Sequence, residues 1–109
     1  MRIQISAKGF ELTPSLQEFV EEKMMSLQKY VSRWDENDSV IVRVEVAKNT
    51  KHHNKGDVFY AEANMDLPKR MLRVEETGAD LHAAVDVLKD RMKNELLKLK
   101  DKEDSELRR

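Results

Sequence analysis

The chain has 109 residues and a formal net charge of −1; 39% of its residues are hydrophobic, 38% are charged and none is cysteine. Disulfides, thiolate zinc sites and cysteine nucleophiles are therefore excluded, and a chain of this size makes one domain that buries roughly 65% of its unfolded surface. No apolar run approaches the ~18 residues of a membrane span, and the opening MRIQISAKG has no apolar signal core. A cytoplasmic protein with no membrane contact is expected. The near-neutral charge counts against a generic nucleic-acid binder, although acids on one face can mask a cationic cluster on another.

Arg2 to Ala7 alternates, with Ile3, Ile5 and Ala7 on one side and Arg2, Gln4 and Ser6 on the other. That is the period of a half-buried strand. Lys8 and Gly9 end it. Thr13-Pro14 then reads as a helix start, with Thr13 as N-cap and Pro14 in the first helical position. The spacing of Leu16, Phe19, Val20, Leu27, Tyr30 and Val31 predicts a helix running to about Val31. Lys23 falls inside that stripe. Either its stem snorkels at the edge, or it is a cation held at a seam between helices.

Arg33 to Asp38 is a polar turn with one Trp. In Ser39 to Ala47, Val40, Val42, Val44 and Val46 alternate with Ile41, Arg43 and Glu45, the clearest strand pattern in the chain. The next segment, Lys48 to Gly56 (KNTKHHNKG), carries three lysines, two histidines and no acid. It is either a solvated connector or a basic contact loop. Asp57 to Leu67 reads as a third strand, with Phe59, Ala61, Ala63 and Met65 on one face. Pro68-Lys69 marks a tight turn, and Arg70 to Glu76 reads as a fourth strand with Leu72 and Val74 inward.

Gly78 precedes a long amphipathic helix, Asp80 to Lys100, with Asp80 as N-cap. Leu81, Val85, Leu88, Met92, Leu96 and Leu99 form its apolar stripe, and the helix is about 30 Å long. At 3.6 residues per turn, Arg91 and Lys98 fall on one flank, beside Ala84 and Val87. Lys89, Lys93 and Lys100 fall on the other. Asp101 to Arg109 is expected to be a charged, flexible tail, which leaves residues 1–100 as a single domain.

The predicted order is β-α-β-β-β-α, an α+β fold. Two amphipathic helices need a surface, and one apolar face of a four-stranded sheet accommodates both. The strand–helix–strand crossover places strands one and two parallel and right-handed. Short loops make the remaining pairs antiparallel, and the polar sheet face meets water.

Little in this sequence supports catalysis. His52 and His53 lie in a loop without nearby carboxylates, and a metal needs three or four converging ligands. The glycines at 9, 56 and 78 make no phosphate loop. Asp86 and Asp90 lie one turn apart on a polar helix face. No enzyme, metal site, cofactor or small-molecule substrate is expected. What remains is binding: Arg91 and Lys98 with Lys23, as a basic seam if the helices pack in parallel, and Lys48, Lys51 and Lys55 as a second patch.

The succession MRIQISAKGFELTPSLQEFVEEKMMSLQKY resembles the opening of the bacterial ribosome hibernation-promoting factors, also called ribosome-associated inhibitors. There a first strand ends in a Gly or Asn turn, followed by an "E-hydrophobic-T" cap and a helix closing in "KLxKY". The stretch ADLHAAVDVLKDRMKNELLKLKDK is similar to the same family's last helix. The resemblance covers essentially the whole domain. It implies a fold like that of double-stranded RNA-binding domains. It also implies binding to the decoding region of the small ribosomal subunit, where the protein blocks tRNA and mRNA and inhibits translation under stress. Carried over by position, Lys23, Arg91, Lys98 and Lys100 match the family's rRNA-facing cations. With Lys29, Lys89 and Lys93 they make the candidate rRNA-binding set. Gln17, Ser26 and Asn94 stand where basic residues are common, and His82 where the family has Tyr. The chain stops just after the second helix, so a short form is expected, monomeric off the ribosome. Two other readings stand beside this one. One is a general duplex-RNA module using the Lys48–Gly56 loop, which would enter a minor groove. The other is a protein adaptor using the polar sheet face.

Overall fold

The computed structural model describes residues 1–48 and 58–108. Strands β1 (Arg2–Lys8), β2 (Ile41–Lys48), β3 (Phe59–Leu67) and β4 (Arg70–Gly78) form one sheet in the order β1-β2-β3-β4. β1 runs parallel to β2, with Ile3 opposite Val42 and Ile5 opposite Val44. β3 is antiparallel to both its neighbours. The expected pairing is thus the observed one. Most of the basic segment 48–56, including Lys51 and Lys55, lies outside the described residues.

The helices are α1 (Pro14–Met25), the single turn α2 (Gln28–Val31) and α3 (Leu81–Leu107), with a 3-10 turn at Glu36–Asp38. Thr13 and Asp80 cap α1 and α3 as expected, accepting from the Leu16 N–H at 3.2 Å and the His82 N–H at 3.0 Å. Gly9 closes β1 at φ +83°, where a Cβ would meet the Lys48 carbonyl at 2.6 Å, so no other residue fits without displacement.

The continuous first helix expected up to Val31 is interrupted. The Ser26 hydroxyl donates to the Lys23 carbonyl at 2.5 Å, and the Leu27 N–H tightens onto the Met24 carbonyl at 2.9 Å. Leu27, buried in the core, stands at this break, and the helix resumes at Gln28 as the single turn α2. The second correction concerns the C-terminal segment. Residues 101–107, expected as a flexible tail, continue α3 as helix. Glu103 holds them against the body by accepting from the Trp34 indole N–H at 3.1 Å.

One core lies between the sheet and the helices. Val42, Val44, Val46, Ala61, Ala63, Met65 and Val74 meet Val20, Met24, Leu27, Leu88, Met92 and Leu96 there. α1 packs on β1 and α3 on β3 and β4, so the helices lie side by side on the inner sheet face. Trp34, read as part of a polar turn, joins this core. Phe19, expected inside, is half-buried and meets His82 in a tilted contact, with ring centroids 4.4 Å apart and planes at 54°.

The outer sheet face is polar and largely self-paired. Lys8 meets Glu45 at 2.9 Å, Arg43 meets Asp66 at 2.6 Å and Arg73 meets Glu62 at 3.2 Å. Burial, reinforced by the hydrogen bond to Glu75, pushes the Tyr60 phenol up to about 12.

Candidate nucleic-acid interface

α1 and α2 run parallel to α3, because contacts advance along both in step. Phe19 meets His82, Lys23 meets Asp86, Lys93 covers Tyr30, and Arg33 reaches Glu103 and Asp104. The condition for an interhelical seam is therefore met, but its composition differs from the one expected. Residues 91 and 98 lie on the flank of α3 that faces β4. There Arg91 meets Glu76 at 3.0 Å, and Lys98 meets Glu95 of its own helix at 3.7 Å. Neither joins Lys23. The helical period explains this: residues 91 and 93, or 98 and 100, stand about 160° apart around α3 if buckling is ignored.

The seam is lined instead by Lys23 and Lys29 from the first two helices and by Lys89, Lys93 and Lys100 from the third. At its upper end the cations are neutralised. Lys23 pairs with Asp86 at 3.0 Å, and Lys89 lies 3.6 Å from Asp86 and 3.2 Å from Asp90. The Lys23 hydrogen bond is the main reason that the Asp86 carboxyl lies below the usual aspartate range.

Further down, Lys29 and Lys93 each place an ammonium 5.3 Å from the centroid of the Tyr30 ring. Each position is favourable for a cation against the negative face of an aromatic ring. Lys93, acting on the hydroxyl, and then Lys29 lower the Tyr30 pKa. Lys29, Lys93 and Lys100 have no carboxylate partner among the described residues. Below Tyr30 the groove widens into a hollow of about 690 Å³, lined by Lys29, Tyr30, Ser32, Arg33, Leu97 and Lys100. At one end of it Glu103 and Asp104 hold the Arg33 guanidinium at 3.4 and 3.0 Å.

The face thus carries two rows of cations on either side of the exposed crest of α3. One row, Lys29–Lys93–Lys100, makes no ion pair among the described residues, and the other, Arg91–Lys98, is paired with carboxylates. Three participants were not legible beforehand. The spacing puts Tyr30 in the core stripe and Arg33 in a turn, and it gives Leu97 no role. Arg33 had a usable signal, a basic residue one turn beyond Lys29. The departures from the family's basic pattern acquire local roles: Ser26 makes the helix break, Gln17 donates to Glu21 at 3.4 Å and Asn94 stands exposed on the crest. Lys48 ends β2, 5.9 Å from the Phe59 ring, and makes none of the contacts along the seam. Among the described residues no cluster of acids and histidines suited to a metal is present. No helix is long and apolar enough to cross a membrane.

Among solved structures, the N-terminal domain of Protein Y from Thermus thermophilus superimposes with a TM-score of 0.72 at 28% identity, over 91% of this chain and 99% of that one. A ribosomal subunit interface protein from Coxiella burnetii, 23% identical, shares the fold with a TM-score of 0.68, over 93% of this chain and 99% of that one. The ribosome hibernation promoting factor of Escherichia coli K12 is 30% identical over 105 residues, covering 94% of this chain and 96% of that protein. The ribosome hibernation promotion factor of Deinococcus radiodurans is 30% identical over 97 residues, which is 89% of this chain but only 48% of the relative, so the chain spans about half of that longer protein. Residues 3–104 match the family described as Sigma 54 modulation protein / S30EA ribosomal protein, and the chain belongs to that family.

Proposed function

We propose that the protein is a ribosome hibernation factor. It binds the small ribosomal subunit at the decoding region, blocks tRNA and mRNA there, and so inhibits translation under stress. It acts by occupancy, without catalysis, in the cytoplasm and as a single copy. Relatives named for ribosome hibernation over nearly the full length of this chain support the ribosomal part of this reading. The observation that carries the rRNA part is the segregation of charge. In a chain of net charge −1, Lys29, Lys93 and Lys100 have no carboxylate partner among the described residues and lie along one groove, while Glu45, Asp66 and Glu62 of the opposite sheet face are paired.

Each phosphate contacted by such a cation releases condensed counterions, and that release drives binding to folded RNA. The cations are held on helix backbones, so little further ordering is needed to present them. In this reading Lys29, Lys93 and Lys100 form the first contact row, and the paired cations Lys23, Lys89, Arg91 and Lys98 make secondary contacts. The test is cosedimentation of the purified protein with vacant small subunits at low salt. Saturable pelleting that falls away when tRNA and mRNA are present is the expected result. Protein left in the supernatant without those competitors refutes the reading.

A further inference from the structure

Leu97 does not fit a purely phosphate-binding face. It is 38% exposed on α3, whereas Leu81, Leu88, Leu96 and Leu99 of the same helix are buried. It borders the hollow between α2 and α3, with the Tyr30 ring beside it and Lys29 and Lys100 on the rim. Lys29 and Lys93 hold that ring in place. The Ser32 hydroxyl adds a hydrogen-bonding group, and the Arg33 pair with Glu103 and Asp104 closes the hollow at its lower end. About 690 Å³ is within the range of small-ligand sites, roughly 300–1,000 Å³.

An A-form duplex presents phosphates and ribose and keeps its bases stacked inside, so it would meet the cations and leave the apolar wall without a partner. An unpaired nucleotide presents both an apolar base face and a phosphate. Binding modules for single-stranded nucleic acid combine an aromatic platform with cations that follow the backbone; here Tyr30 is the aromatic and Leu97 adds apolar surface to the same hollow. We propose that this hollow seats one unpaired nucleotide of RNA, its base against Leu97 and Tyr30 and its phosphates on Lys29 and Lys100. The inference rests on the ribosome-binding reading and adds to it that the recognised RNA includes a base outside a duplex.

The test uses the whole chain and three probes: a short unstructured oligoribonucleotide, a fully paired RNA duplex of equal charge, and vacant small subunits. Adenosine monophosphate serves as a free-nucleotide competitor. Leu97→Ser removes the platform at an exposed position and leaves the core intact, which circular dichroism checks. It should weaken the oligoribonucleotide and the subunits by at least about 4-fold, which is what losing the burial of one CH2 group gives, and leave duplex affinity unchanged. Leu97→Phe should restore single-strand affinity, and Lys29→Ala with Lys100→Ala should weaken all three probes. Equal affinity of Leu97→Ser and wild type for the oligoribonucleotide overturns the proposal, as does an equal loss on the duplex. So does competition by the free nucleotide at concentrations matching the oligoribonucleotide. If the variant still pellets with subunits as wild type does, only the nucleotide seat falls and hibernation stands. If wild type binds none of the probes, both fall.

Discussion

Asp35 closes the corner between α2 and β2 by accepting three hydrogen bonds: from the Val40 N–H at 3.0 Å, from the Gln28 amide at 2.8 Å and from the Met1 ammonium at 2.6 Å. Asp38 also meets that ammonium. Burial alone would raise the Asp35 pKa, but the three donors together outweigh it and hold the carboxyl below the usual aspartate range. Asp35→Ala leaves the Val40 N–H without its partner and should cost about 1–3 kcal/mol in a urea titration. The sign of the pH dependence follows from the direction of the shift. A folded-state pKa below the unfolded one gives stability that is full above about pH 4 and is lost as pH falls through the folded value. Asp86 and Glu45 are shifted the same way. The readout is therefore the difference between wild type and Asp35→Asn, which should be large at pH 7 and shrink towards pH 2.5. None of this was legible in the segment RWDEND. Its role depends on where β1, α2 and β2 converge, and local spacing carries no trace of that.

α3 is the element on which prediction from spacing succeeded and failed in separable ways. Its apolar stripe put Leu88 and Met92 in the core, and both are fully buried there. Leu88→Ala should destabilise by about 2–5 kcal/mol through the cavity it leaves, and a urea midpoint close to wild type would show that the site collapses around it. Strand alternation was equally informative, because a sheet with one apolar face fixes which side chains turn inward. Which flank of α3 faces α1 is not contained in the stripe itself. It depends on the order of the strands beneath, and so Arg91 and Lys98 were assigned to the wrong side. The end of the helix was missed for a related reason. DKEDSEL has no apolar periodicity to extend the stripe, and its order comes from Arg33 and Trp34, about 70 positions earlier in the chain. Those contacts make a further expectation at this scale. Glu103→Gln with Asp104→Asn releases Arg33 towards the groove and removes repulsion, so affinity for small subunits should rise. Adding Arg33→Ala should cancel most of that gain, and an undiminished gain in the triple variant would assign the effect to overall charge alone. The exposure of these partners is about one third each, so the change in folding stability should stay within about 1 kcal/mol.

At the scale of the whole molecule, three groups of cations compete for the role of principal contact: the inner row Lys29, Lys93 and Lys100, the outer row Arg91 and Lys98, and the loop group Lys48, Lys51 and Lys55. The inner row is free of carboxylates among the described residues. The outer row must first give up Glu76 at 3.0 Å and Glu95 at 3.7 Å. A phosphate therefore gains less from an outer-row cation than from an inner-row one. Three inner-row contacts should give log K a slope of roughly −2 to −3 against log salt, at about −0.7 to −0.9 per phosphate. Charge reversal of the inner row should abolish subunit binding near physiological salt. Reversal of Arg91 and Lys98 should weaken it by a smaller factor, and the loop variant with Lys48, Lys51 and Lys55 changed to Ala should keep most of it. The inner-row and outer-row variants should fold, because their side chains lie outside the core, and circular dichroism should precede the binding series for all three. A slope that falls by about two to three units in an inner-row Lys→Ala variant identifies those lysines as the phosphate ligands. Loss of binding in the loop variant with retention in the inner-row variant would shift the reading to duplex RNA entered by a loop. In that case the charge segregation along the helices would serve solubility alone.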